Sequence, residues 1–262
     1  MFSTLTDDDP RPFNVVREDG QSPFVLSGDH AGLVVPQALN SLGLPQSDLR
    51  RHIGIDIGVA TLGEMLSEAL DATFISQPYS RLVIDCNRHK GQPDSIPTQS
   101  DGTTIPGNQD LSADARLHRE GAIFDPYHAR FRDVLDQRKA QGRSSILVAL
   151  HSFTPKHGDY PTPRPWHISV LYNRDARFAR PLLEQLRKEP DLIVGDNEPY
   201  VVSDELDYGI PVHGEARGIV SVELEIRQDT LRAADACQTW CHRLARLLPA
   251  ALNDVTSAGH TM

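Results

Sequence analysis

With 262 residues, 39% hydrophobic and 24% charged, the chain can bury one full-sized core and has an ordinary globular composition. Acidic residues outnumber basic ones 36 to 26, a formal net charge of −10. That balance disfavours nucleic acid and anionic membrane as partners, because both reward clustered Lys and Arg. No apolar run is long enough to cross a bilayer, and the polar, acidic start does not read as a signal peptide. Three cysteines (Cys86, Cys237 and Cys241) fit a reducing compartment, and a cytoplasmic protein is expected. Cys237 and Cys241 fall on one face of a helical pattern and read as packing residues.

Residues 1–21, which include Asp7-Asp8-Asp9-Pro10, read as a loosely held leader. A first strand over residues 24–27 stops at Gly28-Asp29-His30, and Pro36 opens a short helix towards Leu42. Leu62, Met65, Leu66 and Ala69 form a helical stripe within Val59–Leu70. Thr73–Ser76 and residues 81–86 are the next strands. Residues 89–108 are rich in Gly, Pro, Ser, Thr and Asp without periodicity, a stretch that suggests a lid or binding loop, with disorder the competing reading. Asp125-Pro126 has the pattern of a helix start leading through Phe131, Val134 and Leu135. There follow strands at 145–150 and 167–172, a helix at 179–188, strands at 192–195 and 219–226, and a helix at 231–248. Strands alternating with helices predict a single α/β domain over residues 22–250, its sheet covered on both faces, with a tail at 251–262.

The polar residues at strand ends carry the chemistry. His30 and His151 each end an apolar run, where loops gather site groups, and an imidazole there can bind zinc. Side chains alternate across a strand, so Ser221, Glu223, Glu225 and Arg227 share one face. Two carboxylates and a guanidinium on a late apolar strand are costly unless they face a cavity or solvent. Either this is a solvated edge strand, or it is a site wall with Glu223 or Glu225 as general base and Arg227 towards substrate. The same parity over residues 81–88 groups Arg81, Asp85 and Asn87, with Arg88 following at the strand's end. Two arginines and an asparagine can clamp a carboxylate; a salt-bridged strand end, with Asp85 pairing Arg81 or Arg88, is the plainer alternative. Among the 11 histidines, His157, His167 and His213 lie in or beside loops and His128 in a first helical turn. His52, His89, His118, His242 and His260 read as surface residues. A Gly-rich phosphate loop and a Gly-x-Ser-x-Gly elbow are both missing, so phosphoryl transfer and serine hydrolysis have no support.

Ser27-Gly28-Asp29-His30-Ala31-Gly32, Asp56-Ile57-Gly58, Arg81-Leu82-Val83-Ile84-Asp85-Cys86-Asn87-Arg88, Asp125-Pro126-Tyr127-His128, Leu150-His151-Ser152-Phe153 and Leu224-Glu225-Ile226-Arg227 occur in that order. Together, from about residue 22 to 248, they resemble the N-formylglutamate amidohydrolase family. The resemblance implies a fold similar to zinc carboxypeptidases and aspartoacylase, a mixed, mostly parallel sheet sandwiched between helices. It implies zinc as cofactor, with His30 and His151 as ligands. It implies Glu225, rather than Glu223, as general base, and Asn87, Arg88 and Arg81 on the substrate carboxylate. Arg81 could equally stabilise a developing oxyanion. One departure stands out: carboxypeptidases take two ligands from His-x-x-Glu, whereas Leu33 follows His30 at that spacing. Asp56 is the expected third ligand, with Asp29 its competitor. The expected reaction is hydrolysis of the amide of an N-acyl amino acid, foremost N-formyl-L-glutamate to formate and L-glutamate. The alternatives are another N-acyl amino acid or short peptide, or a non-catalytic small-molecule binding protein with an incomplete metal set.

Overall fold

The computed structural model describes residues 4–158 and 162–257. In chain order the strands are β1 (Asn14–Val16), β2 (Phe24–Gly28), β3 (Thr73–Ser76), β4 (Gln99–Ser100), β5 (Thr103–Thr104), β6 (Ile146–Phe153), β7 (Ile168–Leu171), β8 (Val194–Asp196) and β9 (Val220–Arg227). The α-helices are α1 (Gln46–Leu49), α2 (Val59–Leu70), α3 (Ala113–Arg119), α4 (Asp125–Ala140), α5 (Ala179–Arg187) and α6 (Ala234–Ser257).

Seven strands form one sheet in the order β1-β3-β2-β6-β9-β7-β8. The four central strands β3, β2, β6 and β9 run parallel, which their near-continuous apolar runs require, since both faces are covered. β1 and β7 enter antiparallel, so the sheet is mixed, as expected. Side chains alternate across it. Phe24, Leu26, Val148, Leu150, Val222 and Leu224 face one way, into a core shared with α2, α5 and α6. Val25, Ile75, Leu147 and Ala149 face the other, against Tyr127, Phe131 and Val134 of α4. Each fully buried Val, Leu, Ile or Phe among them stabilises the fold by about 1.5–3 kcal/mol relative to exposure. The β6–β9 register sets Ala149 beside Glu223, His151 beside Glu225 and Phe153 beside Arg227. His151 and Glu225 thus meet towards the carboxyl ends of two parallel strands, where open α/β sheets place their ligands.

Several segments differ from expectation. Within the presumed leader, Asn14–Val16 pairs antiparallel with β3 as an edge strand. Residues 81–86 are no strand: Val83 N donates to Ser80 O at 2.9 Å, Leu82 N to Ser80 Oγ at 3.3 Å and Asp85 N to Ser95 O at 2.8 Å. Leu82, Val83 and Ile84 are all buried, and so short an apolar run does not distinguish a strand from a buried turn. The stretch after Pro36 is a 3-10 segment with Asn40, Ser41 and Leu42 at φ 45°, 52° and 55°, not an α-helix. Residues 89–108 contain two short 3-10 turns and the β4–β5 hairpin. Asn108 Nδ2 pins them through Leu82 O and Pro97 O, both at 2.8 Å. α4 starts at Asp125 with Pro126 in its first turn, as expected, but Asp125 is not its cap: Ser112 caps α3, which runs through a π turn (Glu120–Phe124) into α4. Pro126 brings no N–H to the turn, and the wider π turn accommodates that loss. α6 extends to Ser257, into the expected tail; His260 lies outside the described residues. Cys237 and Cys241 are buried in α6 against the core, as packing residues. No helix among the described residues is long and apolar enough to cross a membrane.

Candidate active site

His30 sits two residues past β2, and its carbonyl accepts from Asp56 N at 3.0 Å. After Asp56 the chain must turn at once into α2. Gly58 makes that turn at φ 85°, where a Cβ would lie 2.5 Å from Cβ of Leu231. These constraints bring Asp56 Oδ2 to 2.9 Å from His151 Nδ1 and 3.4 Å from His30 Nδ1. The two imidazole rings are 4.9 Å apart, and one ligand atom from each of His30, Asp56 and His151 lies within 4.8 Å of the others.

All three residues are at most 3% exposed. His30 Nε2 is 2.7 Å from Asp85 Oδ1, which fixes its proton there and leaves Nδ1 as a buried lone pair without a hydrogen bond. That orphaned nitrogen, a second imidazole and a carboxylate are a donor set that fits a divalent cation of the zinc type. Burial pushes the Asp56 carboxyl upwards, but His30 and His151 outweigh it and hold it well below the usual carboxylate range. The reverse holds for His151: burial disfavours its charge, yet Glu223, Asp56 and Glu225 raise it well above an ordinary histidine.

Asp29 is placed differently. Its Oδ1 accepts from the Tyr127 hydroxyl, its Oδ2 is buried without a partner, and burial raises its pKa. It does not join the three-residue group.

Asp85, which parity offered only as a salt-bridge partner, organises the site. Its Oδ1 also accepts from Asn87 N at 2.8 Å, and its Oδ2 takes Arg81 Nε at 3.1 Å and Nη2 at 2.8 Å. Arg81 Nη1 reaches Asp56 Oδ1 at 3.4 Å. Arg88 is held by Asp94 at 2.8 Å and by Asp207 at 2.9 Å. Asn87 Oδ1 accepts from Tyr208 N at 3.0 Å and Gly209 N at 2.9 Å, which fixes the amide and leaves Nδ2 as its donor. Behind this segment His128 Nε2 meets Cys86 O, and His128 Nδ1 meets His213 Nε2, both at 2.9 Å. A carbonyl only accepts, so Nε2 of His128 carries the proton and Nδ1 accepts from His213.

Glu223 and Glu225 both line a cavity of about 340 Å³ together with His30, His151, Asn87 and Arg88. Glu225 Oε2 is buried without a partner. Burial lifts its pKa to about 8, with His151 opposing and Asp56 and Glu223 reinforcing. Burial likewise lifts Glu223 to about 7, again opposed by His151, whose Nε2 is 3.9 Å away. Arg81 lines the cavity as well.

Arg227 does not line it. The strand ends there, and its guanidinium turns to Asp229 at 2.8 Å and to the Pro165 carbonyl at 3.2 Å. Sequence reading missed the residues that complete the cavity: His52, assigned to the surface, and the 200–207 segment, which had no periodic signal. Asp94, Gln99 and Asp101 from residues 89–108 line an adjoining cavity of about 240 Å³.

Comparison with known proteins supplies the family. The family model described as N-formylglutamate amidohydrolase matches residues 22–232. A solved gene product of Agrobacterium tumefaciens is 31% identical, with a TM-score of 0.92 over 97% of this chain and 99% of that one. The solved N-formylglutamate amidohydrolase of Ralstonia eutropha, 18% identical with a TM-score of 0.69 over 95% of this chain and 100% of that one, has the same fold. Among curated proteins no match is found. With the family model spanning most of its length, the chain belongs to the N-formylglutamate amidohydrolase family, and it is a hydrolase of the amide carbon–nitrogen bond of small N-acyl amino acids.

Proposed function

We propose that the chain is a zinc-dependent hydrolase that cleaves an N-acyl amino acid into a carboxylate and the free amino acid, with formyl as the acyl group. N-Formyl-L-glutamate, the substrate expected from the resemblance, is the reference compound. One observation carries the reading: a buried His30 Nδ1 that makes no hydrogen bond, grouped with Asp56 and His151, lines one cavity with Glu225, whose Oε2 makes none either.

His30, Asp56 and His151 would hold the metal, which makes Leu33 no obstacle to a complete ligand set. When bound, zinc supplies Lewis acidity to the acyl carbonyl and lowers the pKa of water to about 7. Asn87 Nδ2 and the remaining Arg88 donors clamp the substrate carboxylate, which orients the scissile amide towards His30 and His151. Glu225 takes the proton of the attacking water and delivers it to the leaving nitrogen. Burial raises the proton affinity of its carboxylate above that of an exposed one. Arg81, fixed on Asp85 and Asp56, stabilises negative charge developing on the carbonyl oxygen.

The test combines elemental analysis for zinc with formate release from N-formyl amino acids. Removing zinc with a chelator should abolish turnover and restoring it should recover turnover. In Glu225→Gln the zinc content should stay at the wild-type level while kcat falls by about 10²–10⁴-fold. Wild-type turnover in that variant would remove Glu225 as the base, and turnover indifferent to zinc would sink the mechanism.

A further inference from the structure

The buried arginines among the described residues are Arg119, Arg138 and Arg164, and none of them pairs with an acid there. Two are saturated by neutral acceptors. Arg119 donates to three oxygens through both Nη atoms, among them Asn108 Oδ1 at 2.7 Å. Arg138 donates to four through Nε and both Nη atoms, among them Ser22 O at 2.6 Å. Both are crosslinks of the fold. Arg164, 9% exposed, differs: its hydrogen bonds leave from Nη1 alone, to the Thr154 carbonyl at 3.3 Å and the Tyr200 hydroxyl at 2.8 Å. Nε and Nη2 have no hydrogen-bond partner among the described residues. A buried guanidinium without an anion is costly, and the rings of Tyr200 and Phe153, 4.9 and 5.9 Å from its central carbon, offset only part of that cost.

The residues that Arg164 touches, Phe153, Thr154 and Tyr200, all line the catalytic cavity, so its charge stands directly behind the wall. A guanidinium only donates; the Tyr200 oxygen therefore accepts from Arg164, and the phenolic proton is left for another acceptor. None of the described residues takes it. The hydroxyl is thus a donor strengthened by the adjacent cation. The two arginines that line the cavity are engaged otherwise: Asp85 and Asp56 hold Arg81 at 2.8 and 3.4 Å, and Asp94 and Asp207 hold Arg88 at 2.8 and 2.9 Å. Arg88 and Asn87 retain donors for one carboxylate. A second carboxylate would be repelled by Asp207, Glu223 and Glu225 in the same cavity unless a further cation met it. Arg164 is that cation, and Tyr200 carries its influence to the cavity.

We propose that Tyr200 and Arg164 form the subsite for a second carboxylate, that of an acidic side chain on the N-acyl amino acid, with the Tyr200 hydroxyl donating to it and the Arg164 charge behind. The proposal rests on the reading of this cavity as an N-acyl amino acid site and names the residues that separate an acidic side chain from a neutral one.

The experiment measures kcat and KM of the zinc-loaded protein for N-formyl-L-glutamate and its neutral isostere N-formyl-L-glutamine. In kcat/KM, glutamate should exceed glutamine by about tenfold or more. Tyr200→Phe, which keeps the ring over Arg164, should lower that ratio by about threefold or more, and Arg164→Met by about tenfold, the loss appearing in KM for glutamate. Arg164→Lys should recover part of it. Calorimetric binding of both compounds to Glu225→Gln reads the preference without turnover. Glutamine preferred to glutamate, or equal to it, overturns the subsite. So does a ratio unmoved by Tyr200→Phe and Arg164→Met, as when both substrates suffer alike because the pair only braces its loop. Should Arg164→Met fail to fold, Tyr200→Phe decides alone. Glutamate-selective binding without turnover in the wild type would support the subsite and overturn the proposed reaction. Binding of neither compound would overturn both.

Discussion

Two pairs of buried histidines are anchored on consecutive residues of one turn. Asp85 holds His30, the partner of His151; the Cys86 carbonyl holds His128, the partner of His213. The pairs have similar ring separations, 4.9 and 5.1 Å, and nearly equal burial. Their neighbours differ. Asp56, Glu223 and Glu225 surround His151 and keep it well above the ordinary histidine value despite burial. His128 and His213 instead meet a carbonyl and the rings of Phe131 and Tyr208. There burial acts with little opposition and pushes His128 well below the ordinary value and His213 down to about 3. Burial alone drives an imidazole towards neutrality; here the adjacent carboxylates give the first pair the negative surroundings that favour a cation. The first pair is suited to a metal, and the second is a neutral hydrogen-bonded post behind the Asn87 wall.

Removing the carboxylate that distinguishes the first pair should have the largest effect. Asp56→Ala should abolish stoichiometric zinc binding and lower turnover by at least about 10³-fold, with the circular dichroism spectrum preserved. Full zinc content in that variant would exclude Asp56 as a ligand.

The second pair should affect stability rather than metal. His213→Phe should retain zinc and cost about 1–3 kcal/mol at pH 8, because His128 Nδ1 loses its donor inside the protein. Its pH signature has a defined sign. The folded value of His213, about 3, lies below the ordinary 6.5, so between these limits the unfolded chain binds a proton that the folded chain does not. Stability is therefore complete above pH 6.5 and falls as pH drops towards 3, by about 1.4 kcal/mol per pH unit from this group. Denaturant melts at several pH values should show a shallower slope in His213→Phe; a slope identical to wild type would show that His213 titrates normally.

Arg227→Gln should matter least. Its guanidinium is spent on Asp229 and loop carbonyls, so KM should change by less than about twofold. A KM rise of tenfold with unchanged kcat would return Arg227 to the substrate.

Legibility followed the range of the interactions. The runs that became β6 and β9 and the stripe of α2 were readable because alternation and 3.6-residue periodicity are imprinted locally along the chain. Parity put Glu223 and Glu225 on one face, and the β6–β9 register places that face beside His151. The same parity argument misled at 81–88, where Arg81, Asn87 and Arg88 line the cavity but the segment is a turn, and at Arg227, where the strand ends. Nothing local marked Asp85 as the residue that orients His30, or Tyr208 and Gly209 as the donors that fix Asn87.

By itself, the sequence determined six of the seven strands of the main sheet, the long helices that cover it, the motifs of the family and the candidate residue types. Tertiary structure decided which carboxylate joins the two histidines, which arginines face the cavity and that the 200–207 segment completes it. The reason is physical: periodicity is a property of neighbours in the chain. The spacing of His30, Asp56, Asp85, His151 and Glu225 depends instead on sheet register and on loops closed by glycine turns and buried hydrogen bonds.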